Sequence, residues 1–375
     1  MKSIRMGVIG AGYMGKAHAI AYKSAATVFD LPAAPVCEMI ATTSAEGAAA
    51  KAEALGFRRS TGDWRALVKD PEVDAVNVST PPATHLEMVL AALAAGKPVF
   101  CEKPLGMNAA ESLRMAEAAE AAGVANLVGY NYIKHPASRL AREMIEAGEI
   151  GEILHVRATH NEDYLHGPDK PGNWRVSRDQ GSVGGALSDV GCHVINAVLR
   201  LAGPIESLVA DLNIVQAERP DPDGGICTVE NPDQGHFLAR FAGGALGSVS
   251  FSRVAAGRKM AYAYEITGTK GAIAFDQERM GELHYFKAGE PAAREGFKRI
   301  LIGPEHPDFV DFCLGAGHGL GYNDQIVIEA RDFVHAIVSG EAVWPTFRDG
   351  YEVDRVVDAV LRSRDSGAWV AVADI

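Results

Sequence analysis

The sequence predicts an α/β protein of two domains. The first is a doubly wound parallel sheet over residues 1–130. The second, over 131–375, is an α+β domain with a large open, mostly antiparallel sheet. Three observations carry this reading. Short apolar runs alternate with alanine-rich helical stretches through the first third of the chain, as in βαβ units. A glycine pattern joins the first run to the first helix. Beyond about residue 150, strand-like segments follow one another with glycine turns between them, the pattern of antiparallel pairing.

The first strand is the apolar run 4–9, and a helix over 14–26 follows the glycines. The second strand, 36–42, leads to Ser44, an N-cap for a helix over 45–55. Asp63 caps a helix over 64–69. A third strand at 73–79, a helix over 84–95, a fourth strand at 98–101, a helix over 109–122 and a fifth strand at 125–130 complete the first domain. A helix over 136–147 opens the second. Strands are expected at 153–160, 206–215, 235–241, 245–253, 262–267, 271–275 and 282–286. A helix over 189–201 lies between the first two. Two helices, 324–339 and 350–363, end the chain.

Composition narrows the function. The 375 residues are 47% hydrophobic and 22% charged, which suits a folded chain. The net charge of −12 argues against a nucleic-acid partner and against an anionic membrane surface. No apolar stretch is long enough to span a membrane, and no signal-peptide pattern opens the chain. The five cysteines are odd in number and scattered, without a Cys-x-x-Cys pair. Neither a disulfide framework nor a metal site is expected, and a cytoplasmic location follows.

The first chemical signal is Gly10-Ala11-Gly12-Tyr13-Met14-Gly15, placed between strand and helix. A residue without Cβ permits the tight turn at Gly10 and the approach of a pyrophosphate at Gly12. Gly15 lets helix and strand pack closely, and the helix N-terminus faces the phosphates. This is the Rossmann dinucleotide fingerprint, with Tyr13 and Met14 inside it. An NAD site usually has an acid after the second strand, and here Thr42, Thr43 and Ser44 stand there. Their hydroxyls suit either ribose form. With no adjacent cation for a 2′-phosphate, NAD is favoured over NADP.

Glu102-Lys103-Pro104 follows the fourth strand, at the end of the sheet where ligands bind. Alone, Lys103 reads as a surface lysine at a loop start. Asp189 and His193 are four apart on the predicted helix, after the glycine-rich 181–187, and so share a face. Asp163 and Tyr164 end a strand and suit a hydrogen-bonding substrate, or form an ordinary turn. Tyr132 follows the fifth strand. His318 sits among four glycines, as a substrate contact or as a solvated loop residue.

Together these features resemble the glucose–fructose oxidoreductase/inositol dehydrogenase/rhizopine-catabolism (Gfo/Idh/MocA) family. The match runs through the glycine turn, Thr80-Pro81-Pro82-x-x-His85, Glu102-Lys103-Pro104, Gly148-x-Ile150-Gly151-Glu152-Ile153, Trp174-Arg175 and Gly184-Gly185-Ala186-Leu187-x-Asp189-x-Gly191-x-His193. The surroundings of Asp63-Trp64-Arg65 and Trp174-Arg175 are most similar to the family's inositol- and levoglucosan-type dehydrogenases. The missing acid after the second strand is the departure.

The resemblance implies an NAD(P)-dependent dehydrogenase acting on a secondary alcohol of a cyclic polyol or sugar. It implies that His193 takes the hydroxyl proton, Lys103 stabilises alkoxide character, and Asp189 orients the site. Thr80, Pro81 and His85 would border the adenosine phosphates and ribose. Glu102 and Lys103 would reach the nicotinamide ribose, and Asn131 its carboxamide. Trp174 and Arg175 would reach toward cofactor or substrate. Substrate contacts would come from Lys103, Tyr132, Asp163, Tyr164, Trp174, Asp189, His193 and His318. Homo-oligomers, dimers or tetramers joined sheet to sheet, are implied as well. Two other functions stay open on the same scaffold: glycoside processing through transient sugar oxidation, and a redox-silent dinucleotide-binding regulator.

Overall fold

The computed structural model describes residues 2–375, which form two compact units. One runs to Lys134 and includes Gly321–Glu352; the other comprises His135–Leu320 and Val353–Ile375. The expected contiguous second domain thus differs in one segment, since Gly321–Glu352 groups with the first unit.

The first unit is built on β1 (Ser3–Ile9), β2 (Ala34–Ala41), β3 (Arg59–Thr61), β4 (Ala75–Val78), β5 (Val99–Glu102) and β6 (Asn126–Gly129). These pair in parallel in the order β3-β2-β1-β4-β5-β6. Five of the six strands were legible. The sixth, β3, is three half-exposed polar residues at the sheet edge, too short to make an apolar run. Every residue of β4 and β5 is buried, as in a sheet covered on both faces. The connecting helices are α1 (Tyr13–Val28), α2 (Ala45–Leu55), α3 (Trp64–Lys69), α4 (His85–Ala94) and α5 (Ala109–Ala122). Ser44 and Asp63 cap α2 and α3 as expected, accepting from the backbone N–H of Gly47 and Arg65. The strand order reverses between β1 and β4, and in open α/β sheets the carboxyl ends of strands at such a point are where ligands bind.

The second unit begins with α6 (Pro136–Glu146) and carries the short α7 (Arg178–Gly181) and α8 (Cys192–Ala202). Its strands are β7 (Ile153–Asn161), β8 (Ile205–Asn213), β9 (Glu218–Pro220), β10 (Ile226–Thr228), β11 (Gln234–Phe241), β12 (Leu246–Ser252), β13 (Ala261–Gly268), β14 (Gly271–Asp276), β15 (Glu282–Lys287), β16 (Lys298–Leu301) and β17 (Val370–Ala371). Nine form one sheet, in the order β16-β15-β14-β13-β7-β12-β11-β8-β17. Only β7 and β12 pair in parallel. Strands β9 and β10 form a separate hairpin. That hairpin and the short edge strands β16 and β17 escaped the sequence reading because none carries an alternating apolar pattern. Helices α6 and α8 pack on the sheet. An open groove of about 760 Å³, lined by Arg157, Thr159, His236, Leu238, Ser248 and Glu265 among others, runs over the strands.

The chain then forms α9 (Tyr322–Ser339) and α10 (Phe347–Ser366). Helix α9 packs along α1 and explains why its segment joins the first unit. Its inward stripe is polar: Tyr322, Gln325, Glu329 and Asp332 recur at helical spacing, and each addresses one depth of the unit. Gln325 Oε1 accepts from Asn131 Nδ2 at 3.0 Å. Lys134 Nζ donates to Asp332 at 2.7 Å and to the carbonyl of Trp344 at 2.6 Å. Apolar residues flank the stripe, with Phe333 set edge-on to Phe100.

Glu329 is 1% exposed, and neither carboxyl oxygen has a hydrogen-bond partner. Burial pushes its pKa well above the ordinary value, and the Glu102 charge adds to this while Lys134 opposes it. Glu329 is therefore held as the neutral acid. A carboxyl whose pKa is raised by folding costs stability as pH rises past its unfolded value. Glu329→Gln is accordingly expected to be more stable than the wild type, with the gap widening from about pH 5 to about pH 8. Urea titrations at both pH values measure it, and a gap that stays constant or narrows contradicts the assignment.

Candidate functional site

The turn after β1 has the features a pyrophosphate requires. Gly10 has φ +98°, and a Cβ there would lie 2.5 Å from the carbonyl oxygen of Ser79, beyond β4. A Cβ on Gly15 would lie 2.1 Å from the carbonyl oxygen of Gly10, so helix and turn touch backbone to backbone. At Gly12 a Cβ would meet nothing within 4 Å. Gly12 is also the N-cap of α1, which has no side-chain cap and no acid in its first turn. Two glycines thus serve packing, and the third leaves open space before an uncapped helix N-terminus. These residues fit a dinucleotide's phosphates.

The ribose side shows why no acid follows β2. Glu38, inside the strand, is buried and accepts from Arg59 Nε at 2.7 Å and Arg58 at 3.3 Å. Arg59 also forks onto Asp70. The Arg59 guanidinium is thereby engaged by two carboxylates, which disfavours its use on a 2′-phosphate. Thr42 donates to the carbonyl of Ser44 at 2.9 Å, and Ser44 accepts from Gly47. Both hydroxyls keep further bonding capacity, and Thr43 is exposed beside them.

Thr80 and Pro81 follow β4 and precede a 3₁₀ turn, Pro82–Thr84, where Thr84 donates to Thr80 Oγ1 at 2.7 Å. His85 opens α4. It is fully buried, with Nε2 2.9 Å from the carbonyl oxygen of Thr80 and Nδ1 3.1 and 3.2 Å from those of Pro104 and Leu105. It bridges the loops after β4 and β5. Burial holds its pKa below the ordinary imidazole value.

Glu102 is likewise interior. It is buried at the end of β5, and His18 Nε2 lies 2.7 Å from its Oε1. Its other oxygen faces the backbone N–H of Lys103 at 3.3 Å. The carboxylate thus supports the start of the lysine segment from the interior, leaving Lys103 half-buried at the surface. Asn131 is buried against Gln325. Tyr322 stands between Tyr13 and Tyr132, at ring separations of 5.8 and 5.9 Å, with its hydroxyl on Met14 Sδ at 3.1 Å. Sequence reasoning missed His18, Tyr322 and Gln325. A histidine in an alanine-rich helix and polar residues on a terminal helix look like surface positions.

In the second unit, a π-helical turn, Leu187–Gly191, carries Asp189 and runs directly into α8, whose second residue is His193. Such widened turns occur frequently at functional sites. Asp189 Oδ2 accepts from the Tyr164 hydroxyl at 2.5 Å and from Arg175 Nε at 3.1 Å. The Arg175 guanidinium also lies 4.3 Å over the Trp174 ring. Burial, then the Asp189 charge, raises the Tyr164 pKa well above the usual range, so Tyr164 remains a neutral donor. The His193 ring is 5.5 Å from that of His160, whose Nε2 is 2.9 Å from Glu162. Tyr164, Trp174, Arg175 and Asp189 therefore form one cluster, and His193, four residues after Asp189, packs against His160.

Two other candidates lie outside it. Asp163 turns to Lys259 Nζ at 2.7 Å and the N–H of Gly257, and Lys259 holds its carboxyl below the ordinary range. His318 is exposed, with Nδ1 3.1 Å from the carbonyl oxygen of Gly315. Among the described residues, no group of three or more His, Cys, Asp or Glu is arranged to hold a metal ion.

The chain matches two family descriptions: "Oxidoreductase family, NAD-binding Rossmann fold" over residues 4–130, and "GFO/IDH/MocA C-terminal domain" over residues 138–274. It is 39% identical to a levoglucosan dehydrogenase of Pseudarthrobacter phenanthrenivorans, with all of each chain covered. A solved structure of levoglucosan dehydrogenase with NADH and levoglucosan superposes with a TM-score of 0.96 at 39% identity, covering 99% of this chain and 100% of that one. An inositol dehydrogenase homologue from Azotobacter vinelandii, complexed with NADH and myo-inositol, gives 0.83 at 26% identity, covering 99% and 98%.

The glycine geometry separates binding from folding. Gly12 has φ −74°, which alanine accepts, and its Cβ would face open space. Gly12→Ala is expected to fold with unchanged stability and to weaken dinucleotide binding by about tenfold or more, ~1.4 kcal/mol. Gly10→Ala is expected to lose stability through its positive φ. Calorimetric titration beside thermal melting checks both. Unaltered affinity in Gly12→Ala contradicts the placement of the phosphates.

Proposed function

Because the chain belongs to the Gfo/Idh/MocA family of oxidoreductases, with an NAD-binding Rossmann domain, we propose that it is an NAD-dependent dehydrogenase of a cyclic, unphosphorylated sugar or polyol. Levoglucosan-like anhydrosugars are the first substrates to test and inositols the second. The observation that carries this reading is the cluster of Tyr164, Arg175 and Asp189, four residues before His193 in the chain, together with a dinucleotide turn. A regulator that only binds the dinucleotide has no use for a carboxylate so held.

In this reading Lys103 hydrogen-bonds the substrate's reacting oxygen and stabilises its developing negative charge. His193 takes the hydroxyl proton, as an imidazole that titrates near working pH can. Asp189, held by Tyr164 and Arg175, orients the histidine end of the helix or bonds a neighbouring hydroxyl. Bound NAD supplies the hydride acceptor. The substrate carbon loses hydride, the hydroxyl loses its proton, and a ketone remains. Gly12 and the N-terminus of α1 hold the pyrophosphate, and Thr42, Thr43 and Ser44 face the adenosine ribose. Thr80 and Pro81 border the phosphates, and Asn131 the nicotinamide. Trp174, Tyr132 and Asp189 serve the substrate. Asp163 and His318 belong to the same reading as substrate contacts.

The groove over the nine-stranded sheet is the surface by which the chain forms homodimers or homotetramers, and a cytoplasmic location belongs to the same reading. Sedimentation tests the assembly: Leu238→Glu, at an exposed apolar position on this face, is expected to yield monomers.

The activity test is a panel of anhydrosugars, inositols and monosaccharides, with NAD and NADP offered separately. Reduction of NAD by a ring alcohol is expected, with kcat/KM for NADP lower by about tenfold or more, ~1.4 kcal/mol. Lys103→Ala should lose turnover and retain NAD binding. Aglycone release without accumulating NADH would indicate glycoside processing instead. Dinucleotide binding without turnover across the panel would indicate a regulator.

A further inference from the structure

The second unit contains a buried polar network that the reaction as read above does not use. Arg253 and Asp233 form an ion pair with both side chains fully buried, Nε to Oδ1 at 2.9 Å. The other oxygen of Asp233 accepts the N–H groups of Val215 and Gln216. The Arg253 Nη2 donates to Asn231 Oδ1 at 2.9 Å, and Nη1 to the carbonyl of Arg175 at 3.1 Å. Asn231 Nδ2 donates to that same carbonyl at 2.9 Å, and to the carbonyls of Ser177 and Ser182 at 3.3 and 2.9 Å. Across the segment, Ala186 N–H donates to the carbonyl of Pro232 at 2.8 Å. Residues 231–233 thus hold both the Arg175 strand of the loop and the turn that leads to Asp189.

Burying an ion pair is a poor route to stability, because desolvation offsets the attraction; such pairs are better understood as fixing one geometry. Here the geometry fixed is the backbone of Arg175, whose side chain reaches Asp189. We propose that Asn231 and Arg253 are positioning residues for the reaction, acting through Arg175 to hold the Asp189 carboxylate in place. This rests on the dehydrogenase reading for its kinetic consequences, but the positioning is a property of the folded chain and is measurable without turnover.

The test is a double-mutant cycle between Asn231→Ala and Arg175→Ala. Each single variant is expected to lower kcat by about tenfold or more while KM for NAD changes little. The double variant should be no slower than Arg175→Ala alone, since residues acting through one contact are not additive. Weakening the Arg175 contact also leaves the Asp189 charge less neutralised. The acid limb of the kcat/KM profile should therefore move to higher pH in Asn231→Ala, a change that a merely structural residue would not produce. Independent of activity, the Arg175 Nε–H resonance should be a protected, hydrogen-bonded signal in the wild type and a fast-exchanging one in Asn231→Ala. Should Asn231→Ala fail to fold, Asn231→Ser enters the same measurements. Additive losses in the cycle, or an Arg175 signal unchanged in the variant, overturn the proposal. A wild type inactive on every sugar bears on the dehydrogenase reading, and the resonance still decides the positioning.

Discussion

The second unit depends on the burial of the Arg253–Asp233 ion pair. A charged pair at zero exposure survives only where its remaining donors and acceptors are met. Meeting them recruits Asn231, the carbonyl of Arg175 and the N–H groups of Val215 and Gln216. The loop that carries Trp174 and Arg175 holds only a 3₁₀ turn, Trp174–Val176, and the short α7, and these anchors add to the few bonds it makes within itself. With them, Arg175 lies across Trp174 and onto Asp189. Arg219 does similar work nearby, donating to the carbonyls of Leu165, Gly167 and Lys170. Buried guanidiniums suit this use because their rigid fork reaches several carbonyls at once.

The first unit solves the corresponding problem with a helix. The stripe of α9 meets Asn131 and Lys134 with Gln325 and Asp332, and leaves Glu329 protonated between them. His18 from α1 and His85 from α4 hold the segment around Lys103, one at the Glu102 carboxylate and the other at the carbonyls of Pro104 and Leu105. Two buried imidazoles thus support a loop whose lysine stays half-exposed. The supporting groups are polar because a loop presents backbone carbonyls, which an apolar neighbour cannot satisfy.

Local patterns were legible and long-range partners were not. The glycine turn is legible at three-residue range, since Gly10 and Gly15 answer to backbone constraints and Gly12 leaves open space before the helix N-terminus. Asp189 and His193 were legible as a pair because both lie on one stretch of helix, although its first turn is π-helical rather than α-helical. Thr80, His85 and Glu102 stand out through resemblance, and the contacts that bury His85 and Glu102 are long-range ones that no local pattern announces. Arg253 and Asn231 carry no local signal at all. An arginine at a strand end reads as solvated until its partner, 20 residues away, is known. The same holds for Glu329, whose burial no local pattern announces.

The central claim is that hydride leaves a ring carbon of a sugar or polyol for nicotinamide while this chain removes the hydroxyl proton. Deuterium tracing tests it most directly. Levoglucosan and myo-inositol deuterated at their carbinol carbons would be incubated with NAD, and the reduced cofactor analysed by mass and by proton resonance. NADH carrying one deuterium, on a single face of nicotinamide C4, is the expected result. NADH formed without deuterium, or sugar converted with no label reaching the cofactor, would contradict it.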